Sequence, residues 1–581
     1  MRKQLLKNLC AVFLTWFTAL FFLPQSAQAQ DKEAYVVKSS DKTTLTFYYD
    51  TQKSSRTGSN VWGINETTKK NGDIIPIWAG TSRQPEKEVT KVFFDVSFKD
   101  FRPTTTSKWF QCFRNLKDIN GLDNLKTTET TTMFSMFNSC INLNSLDLFN
   151  FNTEKVKDMT EMFKGCSSLS ALNLSSFNTE KVQDMREMFK GCLSLSTLDL
   201  SSFKTENVQD MTEMFKDCQS LKSINLSSFK TENVQDMREM FYGCSSLSSL
   251  DLSSFKTENV QNMHKMFIYC VSLIELNLSS FKTENVQDMR EMFRDCRSLK
   301  SLDLSSFKTE KVQDMYEMFN GCKSLTSLNL SNFDTKNVQK MGKIFSGCSS
   351  LSTLDLSSFK TEKVKSMYQM FRSCQNLTSL DLSNFKTENV QNMSEMFNGC
   401  QNLTSLNLSN FNTENVQTMN GMFNGCSSLN SLNLSNFNTK NTKLMEAMFR
   451  GCSSLSSLDL SNFNTENMQD MREMFYECNS LTTIYCNNTW TCSYSGEMFY
   501  NCTNLQGAVP YNASKIDVSM ANPETGYFTK KESTGVTTAT LDGDANIQAI
   551  YSTNGRRLNE LQRGLNIVRM SNGTTQKILR K

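Results

Sequence analysis

One histidine stands in a chain of 581 residues. Imidazole is the side chain that changes charge near neutral pH and the commonest metal ligand. Its scarcity sets aside the usual general acid–base and metal-centre chemistries. A surplus of charge is missing as well: 62 Lys and Arg stand against 59 Asp and Glu, for a formal net charge of +3. That balance gives no electrostatic case for nucleic acid or for an anionic membrane surface. After the first 29 residues no run approaches the ~20 apolar residues that a bilayer-crossing helix needs, so no transmembrane segment is expected. No catalytic triad, paired-carboxylate site, phosphate loop or metal-ligand cluster can be assembled with any specificity. The sequence therefore predicts a non-enzymatic protein with no cofactor.

What is present is a repeat. Cysteines recur at Cys140, Cys166, Cys192 and onward to Cys478, always 26 residues apart and without insertion. A period of this size marks a solenoid or array. A length rule would divide the chain into about four ordinary domains. The repeat overrides it, and residues 108–505 read as one elongated unit in which each coil touches only its neighbours.

Within a coil the apolar positions have two periods. Leu198 and Leu200 point one way while Thr197, Asp199 and Ser201 point the other, which predicts a short strand buried on one face. Val182, Met185, Met188, Phe189 and Cys192 recur at three- and four-residue steps, which predicts a helix face. Asp184 with Glu187 resembles a capping box, and Gly191 suits a helix end. The expected fold class is an α/β repeat solenoid, a curved leucine-rich-repeat-type stack. Each 26-residue coil would hold one short strand and one short helix, with a small all-β domain at the C-terminus. Helices need more room than strands, so the strands should lie on the inside of the curve.

The flanks differ from the repeat. Arg2, Lys3 and Lys7 precede an apolar run over Cys10–Pro24, and Ala27-Gln-Ala29 is a small-x-small site. Residues 1–29 thus read as a signal peptide cleaved after Ala29. Residues 30–107, with strand-like Thr44–Tyr49 and Lys91–Phe98, read as a β-rich N-terminal cap, an independent binding domain being the other reading. Residues 506–530 read as a C-terminal cap and 531–538 as a linker. In 539–581, Ile547–Tyr551 alternates and Asn554-Gly555 is a hairpin turn, so this tail predicts paired strands.

The coil pattern Met-Phe-x-Gly-Cys-x-Ser-Leu-x-x-Leu-Asp/Asn-Leu-Ser-x-Phe-x-Thr-x-x-Val-x-x-Met resembles the BspA-like leucine-rich-repeat surface proteins with DUF285-type repeats. The likeness covers about two thirds of the chain. It implies a bacterial cell-surface protein, and some members of that family are adhesins for host matrix or plasma proteins. The tail resembles the C-terminal sorting domain of the type IX secretion system of Bacteroidota. The residues that carry this likeness are Asn554-Gly-Arg-Arg, Leu561-x-x-Gly564, Ile567-Val568 and Lys577–Lys581, with Asn566 where many sorting domains have Tyr. This resemblance implies passage across the outer membrane through that secretion machinery, then surface attachment or release.

Five sets of residues invite site hypotheses. The cysteine column is a line, not a cluster, and adjacent coils set its thiols at the coil spacing or wider. Buried unpaired thiols are expected there, and Cys486 and Cys492, outside the register, form the disulfide candidate. The Met-Phe pairs read as core, and His264 as a solvated helix position. The outward strand column alternates: Asp199, Asn225, Asp251, Asn277, Asp303, Asn329, Asp355. Alternation separates like charges and offers each carboxylate an amide donor. Two readings of it stay open, a self-bonded polar ladder and a repeated shallow surface that binds an extended ligand through many weak contacts. Lys204, Lys230 and their counterparts, with Glu206 and Glu232 two residues on, should form inter-coil ion pairs of small individual worth. Function is accordingly expected to be adhesion, as a surface protein binding host matrix proteins or glycans multivalently. The alternative is a structural surface-layer or self-association component without a specific ligand.

Overall fold

The computed structural model describes residues 31–531, 547–570 and 575–580. The expected leader with its cleavage site at Ala29, most of the linker and the Asn572-Gly573 turn lie outside the described residues.

Alternation along the strand segment builds one short strand in most coils, those at 353–355 and 431–433 being extended without one. In Thr197–Asp199 the flanking residues are exposed and Leu198 is buried. These strands pair two by two between neighbouring coils, parallel and in register, as Thr197 with Ser223, Leu198 with Ile224 and Asp199 with Asn225. A second parallel column of single-residue bridges runs through Asp158, Asp184, Asp210, Asp236 and Asn262. The chain is therefore a β-solenoid whose coils are tied by this continuous bridge column and by a strand ladder broken into short sheets.

The helix expected in each coil is absent. Among the described residues there is no α-helix, only four short 3-10 segments outside the regular coils. The stretch Met185–Cys192 is instead a run of turns. Met188, Lys190 and Cys192 donate their N–H groups three residues back, to Met185, Glu187 and Phe189. The intervening Glu187, Phe189 and Gly191 donate across to Thr212, Met214 and Lys216 of the next coil, at 2.9, 3.0 and 2.7 Å. A helix would spend every N–H within its own segment. This run spends every second one on its neighbour, and the stack gains a third inter-coil ladder. Glu187 and Gly191 take positive φ, 55° and 74°, to turn alternate amides outward. That conformation suits glycine and is uncommon for glutamate. The expected capping box is likewise replaced: Asp184 Oδ1 accepts the Arg186 N–H at 3.0 Å, a turn closed by its own side chain.

The core faces were read correctly. Val182, Met185, Met188, Phe189, Cys192, Leu195, Leu200 and Phe203 are all fully buried, as are most of their counterparts. Equivalent phenylalanines stack in two columns, one from Phe110 to Phe475 and the other from Phe177 to Phe359. Ring centroids lie 5.5–5.8 Å apart in the Phe189 column and 6.2–6.5 Å apart in the Phe203 column. Neighbouring coils are thus further apart beside the second column, a splay that owes nothing to helices.

At the N-terminal end, β1 (Glu33–Lys38), β2 (Thr44–Asp50), β3 (Asn60–Gly63), β6 (Lys91–Phe94) and β7 (Asp118–Asn120) form one sheet in the order β3-β1-β2-β6-β7. The segments β4 (Thr67–Lys70) and β5 (Asp73–Pro76) pair as a separate hairpin. Phe47 stacks on Phe94 and Trp109, and so joins this sheet to the first coil. Strands β8 to β19 follow along the repeat, from Ser145–Asp147 to Thr483–Tyr485, and β20 (Phe528–Thr529) closes the last sheet against β19. The tail holds β21 (Ile547–Ser552), β22 (Arg557–Leu558), β23 (Gly564–Met570) and β24 (Thr575–Arg580), in the antiparallel order β22-β21-β23-β24.

Candidate functional site

The outward strand row runs along the repeat, and its residues are placed by local chemistry. Each Asp or Asn of the column closes the end of its own strand by accepting the backbone N–H two residues on. Asp199 takes Ser201 N–H at 2.9 Å, Asn225 takes Ser227 at 3.1 Å and Asp251 takes Ser253 at 2.9 Å. Asn277, Asp303, Asn329 and Asp355 do the same with Ser279, Ser305, Ser331 and Ser357 at 2.9–3.1 Å. Asp and Asn both carry the required oxygen, and so share the column. Donation from amide to carboxylate across rungs, the expected role of the alternation, does occur, as from Asn173 Nδ2 to Asp147 Oδ1 at 3.2 Å. It is secondary to the turn that every coil forms. The Ser201 backbone N–H, then its hydroxyl, hold the Asp199 carboxyl below the usual carboxylate range, and Ser253, Ser305 and Ser357 do so for Asp251, Asp303 and Asp355. The row is thus an exposed line of ionised carboxylates and amides, each fixed in orientation.

Uniformity ends at the last coil. Register places Tyr485 directly beside Asp459, in the column that Asp and Asn hold elsewhere. Lys531, arriving from the closing segment, forms an ion pair with Asp459. An open groove of about 860 Å³ lies here, lined by the outward row and its neighbours in four coils together with Tyr485 and Lys531. At the other end of the same row Phe93, paired with Asn120, is also exposed. Aromatic rings therefore bracket the polar column. The sequence showed that the pattern breaks after Cys478 but did not assign Tyr485 a place. Counting 26 residues on from Asp459 would have found it.

The cysteines are buried and unpaired through the column. From Cys166 to Cys478 each thiol donates to a phenylalanine carbonyl 29 residues earlier, as Cys192 to Phe163 and Cys244 to Phe215, both at 3.2 Å. Burial pushes the thiols up, to about 12 at Cys166 and Cys218, which leaves them unreactive. At the disulfide candidate, the Cys486 and Cys492 thiols are free in this structure and turn to separate carbonyls, of Asn488 and Tyr494. His264 is half-buried in the turn run rather than solvated on a helix. Burial first, and Arg290 beside it, hold its imidazole below the ordinary range. No group of three or more His, Cys, Asp or Glu that could hold a metal exists among the described residues.

Two columns escaped the sequence reading. The buried threonines, one per coil, bridge coils with both halves of the hydroxyl. Thr205 Oγ1 donates to the Lys230 carbonyl and accepts the Lys230 N–H, each at 2.8 Å. Threonine in every copy of Lys/Asn/Asp-Thr-Glu/Lys was the available signal. Half-buried Glu and Lys alternate in the turn run: Lys164 joins Glu161 and Glu187 at 2.6 and 2.8 Å, and Lys190 continues from Glu187 to Glu213 at 2.8 and 2.5 Å. The expected exposed row is present too, with Lys230 to Glu206 at 2.9 Å and Lys256 to Glu232 at 3.0 Å.

A family model described as mycoplasma protein of unknown function, DUF285, matches residues 104–224, 210–327, 291–406 and 393–512. No curated protein matches the chain. Among solved structures, a leucine-rich-repeat protein of T. pallidum is 24% identical over 30% of this chain and 75% of its own, with a TM-score of 0.23. A leucine-rich cell-surface protein of Faecalibacterium prausnitzii is 16% identical over 70% of this chain and 95% of its own, at 0.30. A leucine-rich-repeat protein of Eubacterium ventriosum is 14% identical over 66% and 97%, at 0.31. Likenesses at these scores carry no inference about this chain's ligand.

Proposed function

The chain belongs to the DUF285 repeat family, and on that premise we propose that it is a bacterial cell-surface leucine-rich-repeat protein, a non-enzymatic adhesin. It binds host or environmental proteins or glycans through the outward strand column, Asp199, Asn225, Asp251 and their successors. The observation that carries this reading is the fixed orientation and exposure of that column over the whole length of the repeat. Each rung offers one weak polar contact, and many rungs at once give useful avidity. An occupant must therefore be extended and itself repetitive.

The route outward is part of the proposal. Residues 1–29 direct export, and 539–581 engage the type IX secretion machinery, a role supported by the compact antiparallel β21–β24 sheet and the motif residues around Asn554 and Gly564. Residues 30–107 and 506–530 serve as caps that close the open ends of the stack. Among the described residues no helix is long and apolar enough to cross a membrane.

The test is surface-plasmon binding of residues 30–530 to immobilised matrix proteins and polysaccharides, with 31–107 run separately. Saturable binding that weakens steeply as 26-residue coils are excised in register supports the reading. Absence of binding together with concentration-dependent self-association in the ultracentrifuge would replace it with the structural surface-layer alternative.

A further inference from the structure

We propose that the groove at the C-terminal end of the strand row takes a neutral oligosaccharide, stacked on Tyr485. This deepens the adhesion reading and rests on it for the ligand's access to the row. Four observations converge. Tyr485 is 37% exposed in a column otherwise made of Asp and Asn, so an aromatic ring reaches solvent beside hydrogen-bonding side chains. Such a pairing of apolar ring face and polar neighbours suits a sugar, which presents C–H groups on one face and hydroxyls at its edge.

The position is built. Asn487 Oδ1 accepts the Lys531 N–H at 2.8 Å and Asn487 Nδ2 donates to the Lys531 carbonyl at 3.2 Å, so the closing segment is pinned beside the groove. Donors and acceptors alternate along it. Asn407 and Asn433 spend their Oδ1 atoms on the N–H groups of Ser409 and Ser435, which leaves their NH2 groups as donors. Asp381 retains carboxylate acceptors beyond its bond to Ser383.

The charge then selects. Asp381 and Asp459 set two carboxylates against the single ammonium of Lys531, already joined to Asp459. An anionic glycan meets no free cation there and is repelled. At Tyr485 an extended peptide has no free strand edge to join, because Tyr485 is paired with Asp459 on one side and Thr529 on the other.

The experiment is calorimetric titration of residues 30–581 with maltohexaose, cellohexaose and mannohexaose, and with a heparin hexasaccharide as the sulfated probe. One or more neutral hexasaccharides bind saturably, and the sulfated one binds about tenfold more weakly or not at all. Tyr485→Ala weakens neutral binding about tenfold while Tyr485→Phe retains it. Tyr494→Ala, an exposed tyrosine in the other bridge column, changes nothing. Asn433→Asp, which keeps the turn that Asp closes in other coils, removes a donor and adds a charge. It weakens binding about fivefold without dependence on the folding of the alanine variant. Equal or tighter binding of the sulfated probe, or an unchanged affinity in folded Tyr485→Ala and Asn433→Asp, overturns the proposal. If no neutral probe binds while matrix proteins still do, this site falls and the multivalent reading stands. If nothing binds, both fall.

Discussion

The buried threonine column and the exposed Asp/Asn column each place one small polar residue in every coil, and each uses a side-chain oxygen to accept a backbone N–H. They differ in what the bond holds. Thr257, fully buried, accepts the N–H of Lys282 in the next coil and donates to the same residue's carbonyl, both at 2.8 Å. Asp303, exposed, accepts the N–H of Ser305 within its own coil at 3.0 Å. A hydrogen bond that crosses between coils away from water contributes to the stack, because its loss strands groups that water cannot reach. One that closes a solvated turn contributes to local shape, because water replaces it. Polar residues of one repeat are thus divided between cohesion and display by burial alone.

The sharpest way to break that division is Thr257→Val, which keeps the shape and removes the hydroxyl. Both the N–H and the carbonyl of Lys282 lose their partner, and the expected loss is about 2–3 kcal/mol in a urea unfolding curve. Exchange of the Lys282 amide should accelerate. Thr257→Ser keeps both bonds and should lose no more than about 1 kcal/mol with its methyl group. Equal behaviour of Val and Ser would show that the column is filler.

An intermediate case lies in the half-buried ladder of the turn run. Burial alone would raise the Glu187 and Glu213 carboxyls, but hydrogen bonds from Lys164, Lys190 and Lys216 outweigh it and hold both below the ordinary value. A carboxyl lowered in the folded chain stabilises it fully above the unfolded value, about 4.3, and loses that contribution as pH falls through the folded value. Melting temperature should be flat from pH 7 to about 5 and drop below about 4, and Glu213→Gln should shallow the drop. Asp236, raised by burial, works in the opposite sense and makes the loss smaller than the ladder alone would give. A melting temperature that rises on acidification would assign the ladder no cohesive role.

The strand and the core were legible because period two and period three-to-four report which side chains face inward. Leu198, Met188, Phe189 and Cys192 lie where their spacing puts them. The helix was misread because inward spacing does not report where the N–H groups go. A run of three-residue turns also brings Met185, Met188 and Cys192 to one face, and only the inter-coil bonds of Glu187, Phe189 and Gly191 separate it from a helix. Gly191 advertised a positive φ, but Glu187 did not, since glutamate adopts it here under the pull of the next coil. Of the candidate site, the Asp/Asn column was visible as a pattern. The turn it closes was not, because a pattern of residue types does not name the atom each oxygen meets.

The smallest effect is expected at the exposed column, and it separates display from cohesion most directly. Asp303→Asn preserves the oxygen that accepts the Ser305 N–H, and Asn already fills this place at Asn277 and Asn329. Stability should not change measurably. Asp303→Ala removes the acceptor from a turn open to water, and about 0.5 kcal/mol is the expected loss. The one inter-coil bond within reach of these substitutions, from the Asn329 side chain to the Asp303 carboxyl, is exposed and replaced by water, so exchange at the amides of coils on either side should stay at the wild-type rate. A larger loss that spreads to the neighbouring coils would mean that the column binds the stack together. The outward row would then be conserved along the repeat for its own cohesion and not for anything it holds.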